Sequence, residues 1–470
     1  MGSNGLIQSA AINVPRFDYN PATLSPRGLL IEEQRTNLII RSEEFNNSTW
    51  AKDLITANSN VATAPSGTTT ADKLIPDAAA DLTNIAQGTT RIGATYTANT
   101  THTFSVFAKE AEFDRIQLYF SEGTGTTHRA QVTFSLVDGS VVTAAAVVGT
   151  FTNPSSTSTS FGNGWYRFTL TFTTYTGDSG RARIAVKDSG TSTGDGTSGI
   201  LIWGAQVEEG AFATSYIPTV ASTVTRTRDV AVMTGTDFSS WYNQSEGTIV
   251  WNATSFSTSS ANAVVNINSN STANRIYGYF SATAAIGLVT TAGSEQVSFN
   301  SGTLSGGLSG KTAFAYALNS FAQSTRGAAV ITDSSGTVPT VSQMNIGTSH
   351  ASVQSLNGHI RTITYYPQRI HNPELQILSV SDPSLNLNFL SGTLDNRITF
   401  TRSTTGTFVG SNGLIQSTAI NAPRFDYDPV TLAPRGLLIE EQRVNLLLRS
   451  EEFDNASWSK VRSSITANAT

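Results

Sequence analysis

The sequence predicts an all-β protein built of tandem antiparallel sandwiches. Three observations predict it. Short runs alternate apolar and polar residues, loops of Gly, Ser, Thr and Asn separate them, and one long segment occurs twice. Alternation with period two puts one face of a strand on a core and leaves the other open. Many such strands joined by turn-rich loops make a sandwich or jelly roll.

The repeated segment divides the chain. Residues 2–52 recur as 410–460 at a constant offset of 408, with three quarters of the positions identical. The run SITANAT at 464–470 also echoes LITAN at 54–58. A repeat is the first thing to seek in a sequence. Here it reads as a whole unit over 1–409 and the opening of another over 410–470. Residues 1–40 form a connector, punctuated by Pro15, Asn20-Pro21 and Ser25-Pro26-Arg27-Gly28, with Gly28–Glu33 leaving the turn as a strand. Arg16, Asp18, Arg27, Glu32, Glu33 and Arg35 return as Arg424, Asp426, Arg435, Glu440, Glu441 and Arg443. Charges repeated in this way suit ion pairs that fix how one domain sits on the next, since exposed pairs add little stability each. The alternative is contact with neighbouring chains. Trp50 and Trp458 stand at matching places and read as core anchors.

Between the copies, two domains are expected, at 41–228 and 229–378. In the first, Arg115–Phe120 sets Ile116, Leu118 and Phe120 on one face. Trp165–Phe172 sets Tyr166, Phe168, Leu170 and Phe172 inward and Trp165, Arg167, Thr169 and Thr171 outward. Ile200–Val207 is apolar on both faces and reads as a covered central strand, with Trp203 in the core. Asn153–Asn163 and Asp188–Ser198 read as loops. In the second domain, Thr248–Ala253, Arg275–Phe280, Gly287–Val289, Thr312–Leu318 and His359–Tyr366 are strands, the last after an Asn357-Gly358 turn. Asn372-Pro373-Glu374 is the one good helix start, with a capping residue, then Pro, then acid. Residues 379–409 form a linker ending in an alternating strand at 397–402.

Composition narrows the function. Of 470 residues 13% are charged, about half the usual share. Hydrophobic residues at 39% and 23 Phe argue for packed cores rather than disorder. A net charge of −5 offers no basic stripe, so nucleic acid is not expected as a partner. There are no cysteines, hence no disulfides or thiolate sites. No secretory signal is visible at the start, and no run of ~18 apolar residues predicts membrane insertion. A weakly charged surface rich in hydroxyls and amides suits glycans, or equally an inert rod.

The run GLLIEEQRTNL, with FDYDPVTLAPRGLL ahead of it in the second copy and RSEEFDNASW behind it, resembles a module of tailed-phage and prophage head-spike and tail-fibre proteins. The resemblance extends to 398–415, 162–172, 200–219 and 358–379. It implies a carbohydrate-binding-type jelly roll followed by a concanavalin A/laminin-G-like sandwich. It also implies a virion surface appendage, or more broadly an extracellular protein, that binds host surface polysaccharide and assembles with other copies of itself. A purely structural spacer is the rival reading.

No catalytic constellation is visible, and the expectation is that the chain is not an enzyme. The five His show no zinc-site spacing. The adjacent acids Glu32-Glu33, Glu43-Glu44 and Glu208-Glu209 point to opposite faces of a strand, so neither can flank a glycosidic bond. The resemblance allows a structural calcium ion, for which Glu43 and Glu208 are the candidate ligands. Sugar sites pair an aromatic platform with hydroxyl, amide or Arg groups at its rim. Tyr119, Trp165 and Arg167 are the candidates in the first domain, expected within one shallow exposed patch. Tyr277 and Tyr279, flanking Gly278, are the candidates in the second. Cross-strand packing is the competing explanation for both sets.

Overall fold

A computed structural model describes all residues except 83–87, 123–127, 176–178, 258–260, 305–307, 353, 381–386, 388, 396 and 467–470. Parts of the 379–409 linker and of the 464–470 echo therefore lie outside the described residues. The chain forms two compact units, Met1–Ser381 and Asp382–Thr470. Both are built of antiparallel strands, and the fold is all-β with tandem sandwiches.

The first sandwich has two six-stranded sheets. One runs Val141–Val148, Arg129–Ser135, Arg115–Glu122, Ser179–Lys187, Thr89–Thr95, Ala51–Asp53; the other runs Thr152–Ser160, Tyr166–Thr173, Thr101–Glu110, Ile200–Glu209, Ala71–Pro76, Ile55–Ala62. Ile116, Leu118 and Phe120 of the first sheet meet Phe168, Leu170 and Phe172 of the second in one core. Burying each such side chain contributes roughly 1.5–3 kcal/mol. Ile200–Val207 is largely apolar on both faces because both are covered. Ile202 and Val207 face the main core, while Trp203 and Leu201 join a separate outer cluster with Phe107 and Trp165.

The second sandwich packs a seven-stranded sheet on a six-stranded one. The connector supplies part of it. Phe17–Tyr19 pairs with Pro26–Ile31, and Leu29–Ile31 adds to the edge of Gly358–Tyr366, register Leu29↔Ile360 and Ile31↔Gly358. Farther along, Arg35–Asn37 pairs with Val224–Arg226 instead. Phe45 and Trp50 then enter the first sandwich's core. The connector thus ties both sandwiches together.

Buried ions hold this junction. Glu32, 2% exposed, receives Arg16 Nη1 and Arg226 Nη1 at 2.7 Å each, and the Ser215 amide at 2.7 Å. Asp229 accepts from Arg16 and, at 2.8 Å, from the Glu32 amide. Burial alone would raise the Glu32 carboxyl, but the Arg226 and Arg16 guanidinium groups outweigh it and hold it below the ordinary value.

The second unit holds two hairpins, Gly406–Val409 with Ile415–Thr418 and Phe425–Tyr427 with Pro434–Leu437. The second hairpin repeats the Phe17–Ile31 one pair for pair, including the register shift after Asp426 that matches Asp18.

Four readings need correction. Residues 153–163 are largely strand: Thr152–Ser160 pairs with Tyr166–Thr173 at the sheet edge. An edge strand needs no apolar face and tolerates Pro154, and hydroxyl pairs such as Thr157–Thr169, 2.7 Å apart, replace apolar contacts. Residues 397–402 are not a strand; the strand lies at Gly406–Val409. The helix Asn372–Leu378 forms as expected, but His371 occupies the cap position without a side-chain bond, and a second short helix, Gly235–Ser239, has no strong sequence signal. Trp50 is 1% exposed, whereas Trp458 is only partly covered and anchors no core.

Candidate functional site

The first-sandwich candidates do not form a patch. Tyr119 lies on one sheet and Trp165 and Arg167 flank the other, each pointing away from the shared core. They therefore occupy opposite outer surfaces of the sandwich. All three are buried, at 0%, 3% and 8% exposure. Trp165 packs in the outer cluster with Phe107 and Trp203, and its indole N–H donates to the Thr63 carbonyl at 3.1 Å. Arg167 donates to the Thr214 carbonyl at 2.6 Å and to Ser105 Oγ at 2.9 Å, over the Phe107 ring. The segments around Thr63 and Thr214 cover this sheet, which period-two patterning cannot foresee.

The expected calcium ligands do not fit a cation. Glu208 is fully buried and already accepts from Gln206 at 2.6 Å, the Thr214 amide at 2.9 Å and the Thr214 hydroxyl at 2.7 Å. Burial raises its carboxyl, and the nearby Arg167 and Arg35 charges would repel a metal. Glu43 takes a bond from Tyr216 at 3.0 Å, and burial raises it too. No group of three or more potential ligands occurs among the described residues.

The second-sandwich candidates come together with groups the sequence reading did not name. In Arg275–Phe280, Ile276 and Phe280 enter the core, so Arg275, Tyr277 and Tyr279 line the outer face of the six-stranded sheet. Gly278 between the tyrosines lets the strand lie close on Trp251; a Cβ there would sit 3.0 Å from the indole. The Tyr277 and Tyr279 rings stack at 4.7 Å, and the Arg275 guanidinium lies 4.9 Å from the Tyr277 centroid. A cation over a ring adds about 0.5–2 kcal/mol. Tyr277 is itself buried, 2% exposed, and donates to Gln354 at 3.0 Å, so Tyr279, which stays partly exposed, is the ring of the pair that solvent reaches. Burial pushes both phenols up, so they remain neutral hydrogen-bonding groups.

Strand register sets a row of amides beside these rings. Asn266 stands between Asn345 and Tyr277, and Asn268 stands between Gln343 and Arg275. The Asn268 amide donates to Asn345 Oδ1 at 2.8 Å, and Gln343 donates to Asn268 Oδ1 at 3.0 Å. Asn266 differs. Its side chain is fully buried, yet neither its amide nitrogen nor its oxygen has a partner among the described residues, and Arg275 Nε is also unbonded among them. Each such group costs about 1–3 kcal/mol. The face thus holds two stacked phenols, a guanidinium and an unpaired carboxamide in one field. Neutral hydroxyl-rich ligands match that set, because rings take C–H faces and amides bond hydroxyls.

A signal for the missed amides was present. In Asn262–Asn268, Asn266 and Asn268 alternate with the core residues Val265 and Ile267.

No protein-family model matches the sequence, and no curated protein does. Solved structures similar to it include the NanB sialidase of Streptococcus pneumoniae, at 14% identity over 42% of this chain and 32% of that chain, TM-score 0.27. The mouse laminin α1 chain domains LG4-5 match at 10% identity over 61% of this chain and 89% of that one, TM-score 0.23. The extracellular region of zebrafish Gpr126/Adgrg6 matches at 9% identity over 70% and 37%, TM-score 0.24. The expectation that the chain is not an enzyme is corrected: structures of an enzyme stand among its distant fold relations, and motif counting does not exclude catalysis. No helix among the described residues is long and apolar enough to cross a membrane.

Proposed function

We propose that this chain is a segment of a fibre- or spike-type surface protein whose second sandwich binds neutral glycan on the outer face of its six-stranded sheet. The observation that carries the reading is the unpaired Asn266 carboxamide, beside stacked Tyr277 and Tyr279 and under the reach of Arg275. A native buried amide without partners needs an explanation, and a ligand hydroxyl supplies one. The long-period repeat and the resemblance of its GLLIEEQR run support the fibre or virion-appendage setting, with host surface polysaccharide as the partner. In the first sandwich the spacer reading is favoured, because its aromatic and arginine groups are consumed by packing.

A glycan array probed with the full chain tests this. Asn266→Ala removes an unsatisfied group, so the fold should keep its stability while glycan signal falls at least tenfold. Absence of signal from any neutral glycan, or signal unchanged by Asn266→Ala, overturns the site.

A further inference from the structure

The hairpin of each copy, Phe17–Ile31 and Phe425–Leu437, has the same pairing and different surroundings. In the first, Ile31 is 2% exposed and its strand edge pairs with Gly358–Ile360. In the second, Ile439 at the same place is 70% exposed, and Leu437 has no strand beyond its own hairpin among the described residues. The second copy is nevertheless folded for docking. Arg424 already holds Glu440 at 2.6 Å, as Arg16 holds Glu32 at 2.7 Å. Gly436 keeps φ at 101°, beside 108° at Gly28. At Gly28 this conformation serves the docked strand, since a Cβ would lie 2.2 Å from the Ile360 carbonyl oxygen. At Gly436 nothing lies nearer than 3.7 Å.

Every polar handle of the first copy recurs. Asp18, which bonds His359 Nε2 at 2.7 Å, returns as Asp426. Glu33, whose amide donates to Asn357 Oδ1 at 2.8 Å, returns as Glu441. Glu32, held by Arg226 and Ser215, returns as Glu440.

We propose that residues 425–441 dock on a second copy of this chain, adding Leu437–Ile439 to that copy's Gly358–Ile360 edge in place of its own Leu29–Ile31. The receptor for this set of side chains is on the chain itself, which identifies the occupant. Incoming and outgoing contacts are the same, so exchange is nearly neutral in contact energy. The resident strand has the advantage of tethering, and concentration opposes it. The contact is head-to-tail and builds open filaments rather than closed rings. Exchange stops near 441, because the residues after Glu33 in the first copy are woven into the first sandwich.

Analytical ultracentrifugation of the full chain tests the idea. The sedimentation coefficient should rise with protein concentration, and Ile439→Lys should abolish the rise without loss of folded β signal, because Ile439 is exposed in the second copy. Ile31→Lys should weaken the resident strand and promote assembly, and the double variant should stay monomeric. Identical sedimentation of the wild-type chain and Ile439→Lys at all concentrations overturns the proposal. So does assembly that persists in Ile439→Lys. Should Ile31→Lys not fold, the wild-type and Ile439→Lys comparison decides alone.

Discussion

Arg167 and Arg275 each stand among aromatic rings on an outer sheet face, one on each sandwich, and the two faces have opposite fates. On the first sandwich, Arg167 lies over Phe107 with Trp165 nearby, and its outer nitrogens reach Thr214 and Ser105. On the second, Arg275 lies over Tyr277 with Tyr279 stacked beside it, and a buried carboxamide next to them is left unbonded. The two faces use similar residue types in similar alternation. What separates them is the segment laid across the first: the Thr63 and Thr214 carbonyls take the Trp165 indole and one Arg167 nitrogen, and although Arg167 Nε, like Arg275 Nε, has no partner among the described residues, no carboxamide beside it is left unbonded. A ring-and-arginine set therefore marks a binding face only where its neighbours leave bonding capacity unused.

The sharpest test of that contrast is Trp165→Ala. Removing a buried indole from a cluster that includes Phe107 and Trp203 should cost about 3–5 kcal/mol. Thermal unfolding of the full chain should show it as a large drop in the melting transition of the first unit. An unchanged transition would mean that the face is open after all, and the contrast would collapse.

The sandwiches and most inward-facing residues were legible because period-two alternation reports burial on one side of a strand. Ile116, Leu118, Phe120, Phe168 and Phe172 needed nothing more. The outward positions were not legible, because their burial depends on loops packed from far along the chain. Trp165 meets Thr63, and Arg167 meets Thr214. The Ser/Thr strand Thr152–Ser160 was missed for a related reason: at a sheet edge its hydroxyls pair across strands, so no apolar period appears. On the second face, Tyr277 and Tyr279 were found from their own strand. Asn266 and Asn268 needed the register with Gln343–Ile346 before they formed a site.

A second comparison sets two buried glutamates apart by pH. Glu32 sits between Arg16 and Arg226 and is held below its ordinary 4.5; Glu208 is raised above it by burial. A carboxyl depressed on folding stabilises above its unfolded value, and that contribution is lost as pH falls below 4.5. A carboxyl raised on folding has the opposite sign: it destabilises at neutral pH, and the cost disappears as pH falls through its folded value toward 4.5. Glu32→Gln should thus cost about 3 kcal/mol at neutral pH and flatten the acid limb of stability. Glu208→Gln should cost less, about 1–2 kcal/mol, because desolvation of the Glu208 carboxylate outweighs its attraction to Arg167 and Arg35, so what is lost is mainly hydrogen bonding. Denaturant midpoints measured from pH 3 to 8 check both signs. Equal losses with parallel pH profiles would show that both groups act as hydrogen-bond acceptors rather than as charges.

The smallest expected effect on stability belongs to Tyr279. Its ring is partly exposed and its firm contact is the stack on Tyr277, which contributes about 0.5–1.5 kcal/mol. Tyr279→Ala should shift the unfolding midpoint by no more than that. Its effect on ligand should be larger in proportion, because an exposed ring offers its free face to the C–H side of a sugar while Tyr277 supports it from behind. Titration of the full chain with a glycan that binds it should show affinity reduced by tenfold or more in Tyr279→Ala, with Trp165→Phe unaffected. If Tyr279→Ala instead unfolds the second sandwich, the stacked pair is a packing device like Trp165 and Phe107, and the distinction between the two faces does not hold.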